Sequence, residues 1–273
     1  MAFTDNCDLY EAVHEDGVNR VIHHIMSQRP SLFNYATAGV AANPKLWCAS
    51  IEHTADVTKY GNPLFTILPP LPLLGADTPP VGIGFCAQLV LAQIDFYPGN
   101  TVALPAELNP PLQEQHFALH FRVCGAVECP SPELVDHVPV SGGTAGRDNQ
   151  KPPGAPIEFP GVTHCFCLDV YALGHISREF IVGREALVAS VDEMDIVDIK
   201  PDALESNMIC YLMTTANVVL REKLTIAIET LMVSFPLFGL ATVTLSPTPD
   251  PPIPNNPAVE DDQVKVFITM TVI

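Results

Sequence analysis

The chain is short of positive charge. Its 273 residues carry 13 Lys and Arg against 31 Asp and Glu, a formal net charge of −18. Arg20, Arg122, Arg147, Arg178, Arg184 and Arg221 form no run. A field of that sign opposes phosphate backbones and anionic bilayers, so nucleic acid is not an expected partner. Long apolar runs are missing too. No stretch reaches the ~18 uncharged apolar residues of a spanning helix, so no transmembrane segment is expected. The opening MAFTDNCDLYEAV has neither a basic n-region nor a continuous apolar h-region. No secretory signal is therefore expected, and the location expected is cytoplasmic, with non-classical export as the alternative.

Motifs of known chemistry are also lacking. Gly142, Gly143, Thr144, Ala145 and Gly146 have no phosphate-loop lysine and sit in a proline-rich connector. No GxSxG elbow is present to expose a serine nucleophile. His23 and His24 lack the HExxH arrangement of a zinc protease. In His164-Cys165-Phe166-Cys167 the two cysteines share one strand face and the histidine takes the other, with no second close pair to complete a zinc site. Asp192, Glu193, Asp195 and Asp198 lack the spacing and central glycine of an EF-hand loop and read as a solvated edge. His116, His120 and Arg122 likewise read as a solvated sheet face. The eight cysteines are scattered among apolar residues and read as reduced core residues. The expectation is a non-enzymatic protein with no metal and no cofactor.

What the chain does have is apolar residues in periodic order. Hydrophobic residues make up 48%, charged residues 16%, and the mean hydropathy is +0.24, which argues against disorder. Residues 5–29 start at a good N-cap, Asp5 or Asn6. They carry Leu9, Val13, Val21 and Ile25 at four-residue spacing, and stop at Arg29-Pro30, which predicts an amphipathic helix. Residues 115–129 place Phe117, Leu119, Phe121, Val123 and Val127 on one face, the alternation of a strand. Similar runs over 46–59, 81–97, 161–173 and 186–199 predict further strands, of about 40 Å or more in length. A second helix is expected over 201–232, opening at Pro201, and would run for about 45 Å. The runner-up ends that helix near Lys223 and makes 224–235 a strand. Residues 237–245 and 263–273 predict a closing strand pair. Proline-dense loops at 62–80, 98–111, 130–160 and 247–257 punctuate what reads as a single elongated domain, 1–273.

This order of elements resembles the tubular lipid-binding (TULIP) superfamily, which includes the bactericidal permeability-increasing proteins, SMP domains and bacterial P47-type proteins. The resemblance is one of topology and covers nearly the whole chain. It implies an α+β fold: a long, strongly curved antiparallel sheet wrapped around two long helices. It further implies an elongated apolar groove for lipid or another hydrophobic molecule. The lining expected is Val13, Val21, Ile25, Phe117, Leu119, Phe121, Leu212 and Val219. Such stripes more often form a closed core than a groove. The alternative function is that of a structural or assembly component of a bacterial protein complex, with protein partners or a homo-oligomer.

Overall fold

The computed structural model describes residues 6–72, 82–108, 112–129, 162–181, 184–200, 224–227, 233–237, 241–248, 253 and 255–273. Within them strands dominate. They are β1 Leu9–His14, β2 Asn34–Ala36, β3 Thr66–Ile67, β4 Leu71–Pro72, β5 Gly82–Ile83, β6 Phe85–Phe96 and β7 His116–Cys129. There follow β8 Val162–Ile181, β9 Arg184–Lys200, β10 Leu224–Ala227, β11 Val233–Leu237, β12 Ala241–Pro247, β13 Ala258–Glu260 and β14 Gln263–Val272. The α-helices among the described residues are α1 Glu15–Gln28, α2 Ala38–Ala42 and α3 Ala55–Lys59.

One sheet of seven strands runs β10-β9-β8-β7-β6-β2-β3, antiparallel except at β2 and β3. A second runs β1-β14-β12-β11, with β13 also on β14. β4 and β5 pair separately. The strands expected from alternation at 115–129, 81–97, 161–173 and 186–199 are found as β7, β6, β8 and β9. The closing pair is found as β12 on β14.

The two-helix architecture is overturned. Among the described residues there are two large sheets besides the β4–β5 pair, and neither is curled or closed around a pair of helices. Lengths alone forbid the expected match: α1 has 14 residues, about 21 Å, whereas β8 has 20, about 66 Å. The TULIP-like wrapping falls with it.

Residues 5–29 are not one helix. Leu9 to His14 pair with Ile268 to Gln263 of β14, so long-range pairing overrides the helical spacing. The helix begins only where His14 accepts the Asp16 N–H and Glu15 and Asp16 meet the positive end of the dipole. Gly17, costly in mid-helix, thereby falls in the first turn. Arg29 caps the end before Pro30, as expected. Residues 46–59 are not a strand either, since Pro44 opens a 3-10 turn and Thr54 precedes α3. Of the second expected helix, 201–223 lies outside the described residues, and Leu224–Ala227 is a strand on β9.

Apolar side chains close on both faces of the large sheet. Leu168, Val170, Ala172, Met194 and Ile196 gather Leu119 and Phe121. On the other side of the pleat Ala118 and Leu173 are covered by Leu108 and Leu112. Ala36, Val40, Phe65, Cys86 and Ala126 hold Trp47 and Ile51. Phe96, Phe117 and Val259 join the two sheets, with Val18 of α1 alongside.

Gly174 lies opposite Phe117, and a Cβ there would stand 2.6 Å from Phe117 Cζ and overlap the Ser190 carbonyl. Gly174→Ala is therefore expected to destabilise the fold by about 1–3 kcal/mol, read as a lowered urea midpoint; an unchanged midpoint would contradict the close approach of these strands.

Candidate functional site

The residues expected to line one groove do not converge. Val13 lies on β1 and is 42% exposed; Val21 and Ile25, on the outer face of α1, are 57% and 41% exposed. Phe117 is buried between the sheets, and Leu119 and Phe121 are packed into closed clusters. Leu212 and Val219 lie outside the described residues. The apolar strand face is core, not groove wall.

A different groove exists, built by the way α1 sits on β6. Beyond a bulge at Val90, between Leu89 and Leu91, β6 turns backbone groups away from β7. Asn19 meets them: its Nδ2 donates to the Ile94 carbonyl at 2.8 Å, and its Oδ1 accepts the Ile94 N–H at 2.9 Å. Glu15, fully buried, accepts the Phe96 N–H at 2.7 Å and the Thr101 hydroxyl. Burial pushes the Glu15 carboxyl above its ordinary value, against the lowering pull of those two donors, and buried Asp95 beside it pushes the same way as burial. Asp95 itself receives the amides of Asn100, Thr101 and Val102.

Between α1, residues 50–52 and β6 remains a cavity of about 220 Å³. Its apolar lining is Met26, Phe33, Ile51, Leu89, Val90, Leu91 and Ala92; His23, Ser27, Asn34, Ser50, Glu52 and Gln88 supply polar groups. His23 and Glu52 meet at 3.4 Å in an exposed pair. Gln88 is buried and anchors the covering segment, accepting from Cys48 N and Ala49 N and donating to the Ala49 carbonyl.

The cysteines depart from the reduced reading. Cys48 is bonded to Cys165, and Cys124 to Cys167, the latter pair directly opposite each other on β7 and β8. Cys165 and Cys167 share a strand face as expected, but each is taken by a disulfide. Cys86 stays a thiol, 3.6 Å from Cys48 Sγ, and burial pushes its titration up, which keeps it unreactive.

His120 is not solvated as expected, its side chain being 12% exposed, whereas Arg122 stays exposed at 48%. Both grip Asp169, whose side chain is 10% exposed: His120 Nε2 at 2.7 Å, Arg122 through Nε and Nη2 at 3.0 Å. His120 also stacks on Tyr171 at 4.3 Å.

A further polar row was not legible in the sequence: Ser190 Oγ lies 3.3 Å from His175 Nε2, and His175 Nδ1 lies 2.7 Å from Asp192. The order resembles a hydrolytic triad. The adjacent cavity, however, is lined by His116 and His175 and not by Ser190, which is buried in β9. A nucleophile turned away from the cavity cannot meet a substrate there.

No protein-family model matches this chain, and no curated protein matches it. The functional reading rests on the geometry.

Burial alone would raise the Asp169 carboxyl; hydrogen bonds from Arg122 and then His120 outweigh it and hold it below its ordinary value. A lowered folded-state value stabilises the protein above the ordinary carboxylate range, and that stabilisation disappears as the pH falls through the folded value. Asp169→Asn is thus expected to cost about 1–3 kcal/mol at neutral pH, with the gap to the parent closing in acid. Urea unfolding at several pH values measures it, and a gap independent of pH would refute the assignment.

Proposed function

We propose that the protein is a binding module rather than a catalyst, and that the α1–β6 groove takes a small amphipathic molecule, such as a short-chain lipid derivative. The observation carrying this reading is that Leu89, Val90, Leu91 and Ala92 line the cavity together with Met26 and Ile51, with polar groups beside them. At about 220 Å³ the groove is smaller than the ~300–1,000 Å³ usual for larger ligands, so a whole lipid is too big for it. Magnitudes then set the ligand class. Burying six methylenes contributes about 5 kcal/mol at ~0.8 each, and association costs about 4 kcal/mol or more. The apolar part alone binds weakly, so the polar groups must add. With a net charge of −18 and Glu52 in the lining, a cationic or neutral head group fits better than an anionic one.

Octylamine and octanol are the probes. Ligand-observed NMR on the whole chain should detect both, with octylamine the tighter. Ala92→Phe, which fills the groove, should weaken binding by about tenfold or more, equivalent to ~1.4 kcal/mol, with the thermal midpoint nearly kept. Undetectable binding, or binding indifferent to Ala92→Phe, would overturn the proposal.

A second reading, that of a component in a multi-chain assembly, draws on the exposure of Leu9, Val13, Val21 and Ile25. Light scattering on the same samples separates the two: a mass that grows with concentration favours self-assembly.

A further inference from the structure

We infer that His116, His175 and Asp192 form a binding site for one first-row divalent transition ion, of the Zn²⁺ or Co²⁺ kind. The site shares no residue with the α1–β6 groove and stands independently of it.

Register brings the residues together. His116 on β7 pairs with His175 on β8, and His175 pairs with Ser190 on β9. The β8–β9 register then slips: Gly174 pairs with Val191 and Leu173 with Glu193, leaving Asp192 as the extra residue of a bulge. Bulges re-aim side chains, and this one sets the Asp192 carboxylate 2.7 and 2.9 Å from His175 Nδ1. One ligand atom from each of the three residues lies within 4.8 Å of the others. The residue before His116 is held as well. Gln115 has φ 70, uncommon for a residue with a Cβ. It is fixed there by Val259, whose carbonyl accepts the Gln115 N–H and whose N–H is accepted by Gln115 Oε1.

The outer nitrogens of both imidazoles are tied in the manner of metal-binding histidines. His116 Nδ1 lies 3.0 Å from the Glu114 carbonyl; when it donates there, Nε2 keeps its lone pair for a metal. His175 Nε2 lies 3.3 Å from Ser190 Oγ; when it donates there, the lone pair of Nδ1 faces the Asp192 carboxylate. In the other tautomer Nδ1–H donates to the Asp192 carboxylate at 2.7 Å and the Ser190 hydroxyl donates to Nε2. A metal ion takes the place of the hydrogen between Nδ1 and the carboxylate and gains two imidazoles and a carboxylate. This ligand set suits zinc, cobalt and their neighbours, whereas calcium and magnesium call for all-oxygen cages.

Three protein ligands leave coordination positions open. His116 and His175 also line a cavity of about 390 Å³ together with Ser177 and Arg178, with room for water or a small anion beside the two imidazoles. Both His175 and Asp192 are partly exposed, which gives the ion access, and the acidic charge of the chain raises the local cation concentration.

The test uses tag-free protein with its disulfides intact and no reductant. Titration with Co²⁺, followed by visible ligand-field absorption, is expected to saturate at one ion per chain, and Zn²⁺ should compete for the same site. His116→Ala and Asp192→Asn should each weaken binding by about tenfold or more. Ser190→Ala should weaken it less. Asp192 is exposed, so Asp192→Asn remains informative even if a histidine variant unfolds; circular dichroism checks each variant. Absence of binding up to about 1 mM Co²⁺, or unchanged titration of Asp192→Asn and His116→Ala, would overturn the site. A sulfur-to-cobalt charge-transfer band would place the ion on cysteine and equally overturn it.

Discussion

The structure depends on closing the free edge of β6. Past the bulge at Val90 the backbone of this strand has no strand neighbour among the described residues on the side away from β7, yet Phe96 and Asp95 are among the most buried residues described. Buried amides and carbonyls left unpaired cost about 1–3 kcal/mol each. Helix α1 supplies the missing partners with side chains. Asn19 offers a donor and an acceptor to the same residue, Ile94, as a paired strand would, and Glu15 takes the Phe96 amide. The groove follows from this: α1 is pinned at its first half by Glu15 and Asn19, and the cavity lies beside its second half, at His23, Met26 and Ser27.

The same contacts tie the two sheets. Glu15 N–H donates to the Asp262 carbonyl at 2.9 Å, Asp262 N–H to the Tyr97 carbonyl at 2.9 Å, and Asn100 Nδ2 to the Asp262 carboxylate at 2.9 Å. Around them Phe96, Phe117 and Val259 are buried together. A buried glutamate with its titration pushed up is a costly centre for such a junction. Its donors offset that cost and fix one geometry, because few arrangements satisfy both carboxyl oxygens. Pairing Gln115 with Val259 extends the junction to the edge of the histidine cluster, so the two candidate sites flank one seam.

The extended strands were legible because period-two alternation over 115–129 has no helical competitor of that length. The end of α1 was legible from Arg29-Pro30. Its start was not: Leu9 and Val13 fit a helical stripe as well as a strand, and the partner that decides, β14, lies some 250 residues away. The disulfides were hidden for a similar reason, since Cys124 and Cys167 become neighbours only once the β7–β8 register is known. Of the histidine cluster, His116 and Asp192 were singled out, each as part of a solvated face or edge, and His175 was not. The bulge that turns Asp192 toward His175 leaves no composition signal, and runs of acidic residues ordinarily mark a solvated edge.

The most direct measurement of the edge closure is amide hydrogen exchange at Ile94 and Phe96, compared between the parent chain and Asn19→Ala. If α1 side chains complete the strand, both amides are protected in the parent, and the loss of Asn19 speeds Ile94 selectively while β7 amides such as Leu119 stay slow. Fast exchange at Ile94 and Phe96 in the parent, with β7 protected, would mean that the edge is open and that α1 does not close it.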